Sequence, residues 1–565
     1  EVLHADHYNA IFTTHGTIMI LFMAMPMMFG LFNMVVPLQI GARDVAYPFL
    51  NALSFWLFFL GAMLFNLSFV IGGSPDAGWL SYPPLSQNDF SPGPGQNFWI
   101  WGIQISGIGS LATGINFIVT ILKMRAPGMT LSKMPLFSWS VLSSSIMIIF
   151  AFPILTITIA LLFLDRFAGA HFFTMDGGGN PMMYLNLIWM WGHPEVYIVV
   201  VPAFGIFSEV VATFSRKRIF GYKSMVWALM AIAIASFFTW AHHFFTMGTS
   251  ASVIAFFAIS TMVIAIPTGV KVFNWLFTMF RGRISFKQPM LWTIAFIPCF
   301  LVGGATGVML AVAPADYQYH NSYFLIAHFH QVLIGGVVFG YLAGIYYWWP
   351  KLFGFKLDEK LGRWGFWFWN IGFYICFMPQ YALGFMGMTR RYYTYGWDRG
   401  WEDLNLVSTV GAFMMGIGFI FQVWQITYSI KHGERDTTGD PWDARTLEWS
   451  IPSPAPFYNF AVVPNVKESD DWWATKQAKA NGTYKEEPVH LEPIHMPKNS
   501  GIPIIMSTFW FLIGFGFTFG WVWMAVVGFI GVAVCMWVRS FQYDTDYYVP
   551  VDEVRRTEAS LGRVL

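Results

Sequence analysis

Trp191-Gly192-His193-Pro194-Glu195-Val196-Tyr197 sits inside an apolar run from Tyr184 to Thr213. A run of that length crosses a bilayer, whose hydrocarbon core asks for about 20 apolar residues. Within two helical turns it carries an imidazole, a carboxylic acid and a phenol. Ionisable groups at membrane depth are costly and mark relays, ligands or substrate paths. Four residues apart, His193 and Tyr197 share one helix face, while Glu195 points to roughly the opposite side. Pro194 removes a backbone donor at the same place and is expected to disturb the helix. The plainer alternative is a polar patch that hydrogen-bonds helices together.

The rest of the chain is of the same kind. Its 565 residues are 56% hydrophobic and only 11% charged, with 58 Phe and 27 Trp. Soluble domains carry about a quarter charged residues, so this composition belongs in lipid. A net charge of +1 leaves no basic face for nucleic acid. Cys299, Cys376 and Cys535 lie in apolar runs at unrelated spacings, which reads as core packing rather than a disulfide framework or a thiolate metal site. The chain opens Glu1-Val2-Leu3-His4, with neither an initiating Met nor a signal-peptide pattern, so a longer gene product is expected.

About thirteen apolar runs reach spanning length, which predicts an all-α polytopic membrane protein. They are 11–39, 48–71, 97–123, 134–164, 184–213, 222–246, 252–279, 289–312, 320–349, 362–388, 405–430, 502–520 and 521–540. Basic residues fill alternate links. Arg43 follows the first run, and Lys123, Arg125 and Lys133 follow the third. Arg216, Lys217, Arg218 and Lys223 follow the fifth, Arg281, Arg283 and Lys287 the seventh, and Lys351, Lys356, Lys360 and Arg363 the ninth. Links 72–96, 247–251 and 313–320 have no Lys or Arg. By the positive-inside rule the basic links are cytoplasmic and residues 1–10 lie outside. Outer link 389–404 breaks the rule with Arg390, Arg391 and Arg399. Either a local anion, such as cofactor carboxylates, needs them, or they pair with Asp398, Glu402 and Asp403. Residues 431–501 form a polar cytoplasmic stretch, a surface lobe or partner-binding loop. Residues 502–540 read as a helical hairpin and 541–565 as a cytoplasmic tail, with 1–430 the transmembrane core.

The orientation places six histidines in the outer half of the bilayer: His15, His193, His242, His243, His328 and His330. Neutral imidazole is the commonest metal ligand and suits iron and copper. His328 and His330 are two apart, roughly 200° around a helix, so they serve different centres. Each could be an axial haem ligand, with His15 available as a second axial ligand for one of them. His193, His242 and His243 remain as a site for a copper ion with an open position.

With TTHG at 13–16, GHPEVY at 192–197, the His242-His243 pair, KVFNWLFT at 271–278 and HFH at 328–330, the chain resembles subunit I of the haem–copper terminal oxidases. The resemblance runs nearly end to end. It is closest to the quinol oxidases, and among them to the menaquinol-oxidising branch of Gram-positive bacteria. Gly41-Ala42-Arg43-Asp44-Val45-Ala46 matches quinol oxidases, whereas cytochrome c oxidases typically read Gly-Ala-Pro-Asp-Met-Ala, and the terminal hairpin also fits the quinol branch.

The resemblance implies a respiratory enzyme of the bacterial plasma membrane that reduces O2 to water and pumps protons. His15 and His330 would ligate a low-spin haem and His328 a high-spin haem, of A or O type. His193, His242 and His243 would hold the copper, with Tyr197 covalently joined to His193. Arg390 and Arg391 match the arginine pair at the haem propionates, and His320 and Asp316 an outer metal or water site. One proton path would run from Asp44 past Asn33 and Asn51 to Glu195, and a second past Ser224, Lys271 and Thr268 to Tyr197. Lys271 lies in an otherwise apolar span, where the alternative is a lysine that snorkels to the interface. His7 matches a histidine implicated in quinol binding, although Ala10 stands where relatives carry an acid or amide. Its other expected partners, an Arg and an Asp, would lie upstream of Glu1.

Subunits II, III and IV, menaquinol or ubiquinol, O2 and lipid are the expected partners, and nucleic acid is not. A cytochrome c oxidase is the nearest rival, disfavoured by Arg43 and the hairpin. Nitric oxide reductases share the six histidines but lack the counterpart of Tyr197. A secondary transporter would not need six histidines at one depth.

Overall fold

The computed structural model describes residues 3–485 and 490–562. Apolar runs of this length become helices because backbone groups out of reach of water must pair within the segment. Among the described residues, 11 helices are long and apolar enough to cross a membrane. In chain order, α1 is Ala5–Ile40, α2 Pro48–Leu67, α3 Gly95–Lys123, α4 Leu136–Ala168 and α5 Pro181–Phe214. Then come α6 Tyr222–Met247, α7 Ala251–Met279, α8 Gln288–Ala311 and α9 Tyr323–Phe353. α10 is Glu359–Phe385, α11 Glu402–His432, α12 Ile502–Thr518 and α13 Val522–Ser540. α10 and α12 fall outside the 11. The first is diluted by Trp364, Trp367, Trp369, Asn370 and Gln380, and the second has 17 residues. Each expected run nonetheless holds a helix.

Several details depart from expectation. α5 runs unbroken through Pro194 and Pro202, so Pro194 does not interrupt it. Membrane helices tolerate proline where neighbouring groups satisfy the freed carbonyl. α1 starts at Ala5 rather than at residue 11, and it passes through a π-helical stretch at Ile18–Ala24. α9 does the same at Leu333–Val338. α6 leaves α geometry after Ala235 and carries His242 and His243 on a 3-10 segment, Trp240–Met247. α7 is interrupted at Ile264.

Small residues set how closely the helices approach. A Cβ on Gly372 of α10 would lie 2.8 Å from the Gly411 carbonyl of α11. The α12–α13 hairpin rests on α2 and α3, where a Cβ on Gly514 would meet Leu64 at 2.7 Å and Ile105 at 2.9 Å.

Of the two readings of the polar stretch, residues 431–485 and 490–501 fit a packed surface lobe better than a loop. They fold down on the helix ends that carry the basic links, because those links supply donors and ion pairs. Arg216 pairs with Asp443 at 3.0 Å, and Lys356 with Glu434 at 3.3 Å. Lys351, 2% exposed, donates to the carbonyls of Gly439, Ile451 and Pro452 at 2.7–3.2 Å. The segment contains a buried turn at Leu447–Ser450, a helix at Asp471–Ala480 and a strand β1, Ile494–Pro497. β1 pairs antiparallel with β2, Asp546–Val549, which follows α13 and precedes a tail helix at Val551–Ser560.

Candidate functional site

α5 and the 3-10 end of α6 bring three of the histidines together. The ligand atoms of His193, His242 and His243 all lie within 4.8 Å of one another. His193 Nδ1 is 3.0 Å from His243 Nε2, and the rings of His193 and His242 meet edge-on at 4.5 Å. Each ring is steered by a neighbour. His242 Nδ1 hydrogen-bonds Thr261 Oγ1 of α7 at 2.9 Å. His243 lies flat on Trp189, with centroids 3.4 Å apart and planes within 4°, and Trp189 Nε1 donates to Tyr82 Oη at 2.5 Å. The buried His193 Nε2 has no partner. Three neutral imidazoles without thiol or carboxylate form a donor set that fits copper.

Tyr197 is one turn on from His193, its ring centroid 4.8 Å from the imidazole. Glu195 points away, fully buried, and neither carboxyl oxygen has a hydrogen-bond partner. The division of this heptapeptide by helix face therefore holds.

His328 and His330 of α9 face different helices. His328 Nδ1–H donates to the Gly303 carbonyl of α8 at 2.9 Å, and His330 Nδ1–H to the Ile326 carbonyl at 2.8 Å. His330 stacks on Phe377 of α10 at 4.3 Å. With Nδ1 occupied in both, Nε2 is the nitrogen left to bind a metal, which fits axial ligation of haem iron. His15 stands exposed on α1, three residues from Phe12, whose ring lies 5.1 Å from the Arg391 guanidinium.

Arg391 and Arg390 occupy the end opposite the basic links. The Arg390 backbone N–H donates to the Asn321 carbonyl at 2.9 Å. Burial, with Arg391 adding to it, pushes the Arg390 pKa down to about 10, and Tyr82 opposes the shift. Among the described residues neither arginine has a carboxylate within ion-pairing distance, while Arg399 does reach Asp398 at 3.9 Å. Of the two sequence readings, pairing fits Arg399 and an unsupplied anion fits Arg390 and Arg391. At the same end, His320 Nδ1 meets Asp316 Oδ2 at 2.8 Å, and Asp316 is 2% exposed.

Asp44 lies in the link between α1 and α2, its Oδ1 accepting the Val45 N–H at 2.6 Å. Burial raises its pKa, and that hydrogen bond opposes the rise. Asn33 Nδ2 donates to the Phe29 carbonyl at 2.9 Å, and the Asn51 carbonyl accepts Ser54 Oγ at 2.8 Å. Lys271 is fully buried on α7, its Nζ without a hydrogen bond and 5.6 and 5.3 Å from the Phe204 and Trp275 rings. It does not snorkel. Ser224 is exposed and accepts from Asn274 Nδ2 at 2.8 Å, and Thr268 donates to the Ile264 carbonyl at 2.9 Å. The direct hydrogen bonds of Ser224 and Thr268 do not reach Lys271. His7 is exposed on the first turn of α1.

Sequence spacing did not point to Trp189, Thr261, Tyr82 or Ser144. Ser144 Oγ of α4 donates to the Ile198 carbonyl at 3.0 Å, one turn beyond Glu195.

Residues 1–414 match the family described as cytochrome C and quinol oxidase polypeptide I. Quinol oxidase subunit 1 of Bacillus subtilis (strain 168) is 61% identical over 562 residues, covering 99% of this chain and 86% of its own length. Cytochrome bo(3) ubiquinol oxidase subunit 1 of Buchnera aphidicola subsp. Schizaphis graminum (strain Sg) is 56% identical over 558 residues, covering 98% of this chain and 84% of its own. A solved structure of a heme-copper terminal oxidase dimer has the same fold, with a TM-score of 0.69 at 18% identity over 89% of this chain and 90% of that one. The family match runs from α1 into α11 and the relatives extend through the hairpin and tail, so the chain belongs to the haem–copper oxidase subunit I family.

Proposed function

We propose that the chain is the catalytic subunit of a respiratory quinol oxidase that reduces O2 to water and couples the reaction to proton transfer across a bacterial plasma membrane. The carrying observation is the cluster of His193, His242 and His243, with the Tyr197 ring 4.8 Å from His193. The relatives named quinol oxidase subunit 1 and ubiquinol oxidase subunit 1 favour quinol over cytochrome c as electron donor.

In this reading His193, His242 and His243 hold copper, His15 and His330 a low-spin haem, and His328 a high-spin haem, with Arg390 and Arg391 on their carboxylates. Bound, these groups would relay the electrons that the quinol gives up and offer the place where O2 is held. The chain's own residues orient and protonate. Gly303 and Ile326 fix the imidazole tautomers of His328 and His330, and Thr261 and Trp189 hold the other two rings. Tyr197 presents a phenol that can give up a proton beside the O2 site. Asp44 takes protons from the cytoplasm, where Asn33 and Asn51 flank its path to Glu195. A carboxyl with no partner, such as Glu195, is free to pass its proton on. Lys271, Ser224 and Thr268 would carry the second path to Tyr197, His7 is a candidate for the quinol site, and His320 with Asp316 for an outer metal or water site.

Residues 1–430 would form the catalytic core, 431–501 and 541–565 its cytoplasmic cap, and 502–540 a peripheral hairpin, assembled with subunits II, III and IV. The test is O2 uptake by the purified complex with menaquinol, ubiquinol and reduced cytochrome c, alongside a pyridine haemochrome spectrum. Uptake with a quinol and none with cytochrome c is expected. The reverse would assign a cytochrome c oxidase, and absence of haem would return the chain to the transporter class.

A further inference from the structure

The link between α1 and α2 is gripped by residues 456–466 of the polar segment. Arg43 donates through Nε to the Phe460 carbonyl at 2.9 Å and through Nη2 to the Ala461 carbonyl at 2.8 Å. In return Asn459 Nδ2 donates to the carbonyls of Ala42 at 3.1 Å and Arg43 at 3.2 Å. Asn459 has φ of 61°, a left-handed backbone that Asn adopts more readily than most residues. Gly41, at φ 74°, seals the other flank: a Cβ there would lie 2.6 Å from Ala126 Cβ and 3.1 Å from Pro464 Cγ. The strap then crosses to the α3–α4 link, where Val466 N–H donates to the Pro127 carbonyl at 2.8 Å.

Its other end is rooted in the tail. Tyr458 is fully buried among Ile494, Met496, Val549 and Val554, and its hydroxyl donates to Glu558 Oε1 of the tail helix at 3.0 Å. Contacts therefore run from the tail helix to the residues immediately before Asp44.

The residues after Asp44 are held from α3, where Ala46 N–H donates to Thr120 Oγ1 at 2.9 Å and Tyr47 N–H to Asn116 Oδ1 at 3.0 Å, so on the side before Asp44 the strap is the matching hold. The charged groups around the link are Arg43 itself, Glu492 acting on Arg43, Arg125 tied to the Ile121 and Met129 carbonyls, and Arg539 over the Phe49 ring. Among the described residues none of them forms an ion pair with Asp44. We propose that the Arg43–Asn459 latch is the positioning device for Asp44, holding its carboxyl at the mouth of the proton path. The cap formed by residues 456–466, β1–β2 and the tail helix keeps that latch shut. The inference rests on the reading of Asp44 as the residue that takes protons up.

Asn459→Gly keeps the left-handed backbone and removes only the amide, and Arg43→Gln removes the charge and most of the donors. Both are measured in the purified oxidase complex as quinol-driven O2 uptake across pH, with the haem spectrum as a folding control. A loosened Asp44 is better hydrated and loses its raised affinity for protons. The alkaline limb of turnover should therefore move down by about half to one pH unit, with turnover there falling on the order of threefold to tenfold and the acid side unchanged. Arg43→Lys should recover part of the loss. In an Asp44→Asn background neither substitution should have any further effect. An unchanged pH profile, or an equal loss in the Asp44→Asn background, overturns the latch. Wild-type turnover in Asp44→Asn alone overturns the uptake role of Asp44, and the latch with it, a failure told apart from the first by the single variant.

Discussion

Neither oxygen of Glu195 meets a donor, although the side chain is fully buried, and an unpartnered buried carboxyl is costly to keep. A group held at such cost has a use. Glu195→Gln keeps the shape and removes the transferable proton, so the haem spectrum should stay intact while turnover falls about 10²-fold or more. Normal O2 uptake by that variant would end the relay role. His328 has its Nδ1 committed to the Gly303 carbonyl, so His328→Ala should abolish carbon monoxide binding in a difference spectrum, and a retained band would refute the assignment. At this scale the sequence was most legible in its ionisable residues, because lipid makes each of them conspicuous. Trp189 and Thr261 were not legible. Aromatic and hydroxyl side chains are ordinary in a membrane helix, and His242 and His243 gain these partners only through folding.

At the scale of elements, run length located the helices because a bilayer leaves the backbone no alternative. Irregularities inside a run left no mark, since π and 3-10 turns use the same apolar residues as an α-helix. The adjacent His242-His243 pair was legible as a signal, but its 3-10 geometry was not. Pro194 misled in the other direction, since α5 continues through it. Contacts between helices are where single substitutions should bite. Gly411 of α11 is so close to α10 that a Cβ would lie 2.6 Å from the Gly372 carbonyl. Gly411→Leu should overpack this seam at a cost of about 1–3 kcal/mol, seen as a lower thermal midpoint in detergent, and an unchanged midpoint would show that the seam yields.

At the scale of the molecule, the polar segment was the least legible part. Composition left a surface lobe and a partner-binding loop equally open, and it gave no sign that Glu448 and Trp449 would be 0% and 1% exposed. Glu448 Oε1 accepts from Gln39 Nε2 at 3.2 Å and Trp348 Nε1 at 3.1 Å, partners some 400 and 100 positions away in the chain. Burial raises the Glu448 pKa, with the hydrogen bonds from Gln39 and Trp348 opposing. A carboxyl whose folded pKa exceeds its unfolded value binds its proton more tightly when folded. Its contribution is therefore complete at low pH and is lost as pH rises above the ordinary carboxylate range. Protease cleavage of residues 431–501 in inside-out vesicles should quicken with rising pH, and Glu448→Gln should flatten that dependence. An equal dependence in both proteins would remove Glu448 as its source. Across the molecule, basic links meet acidic partners at one end, Arg216 on Asp443 and Lys356 on Glu434, while among the described residues Arg390 and Arg391 have no carboxylate partner at the other. Two positive charges whose anion the chain does not supply leave the charge balance of this end to whatever group binds there. A haem seated on them would be held by charge as well as by its histidines, so the bound group itself would complete the scaffold.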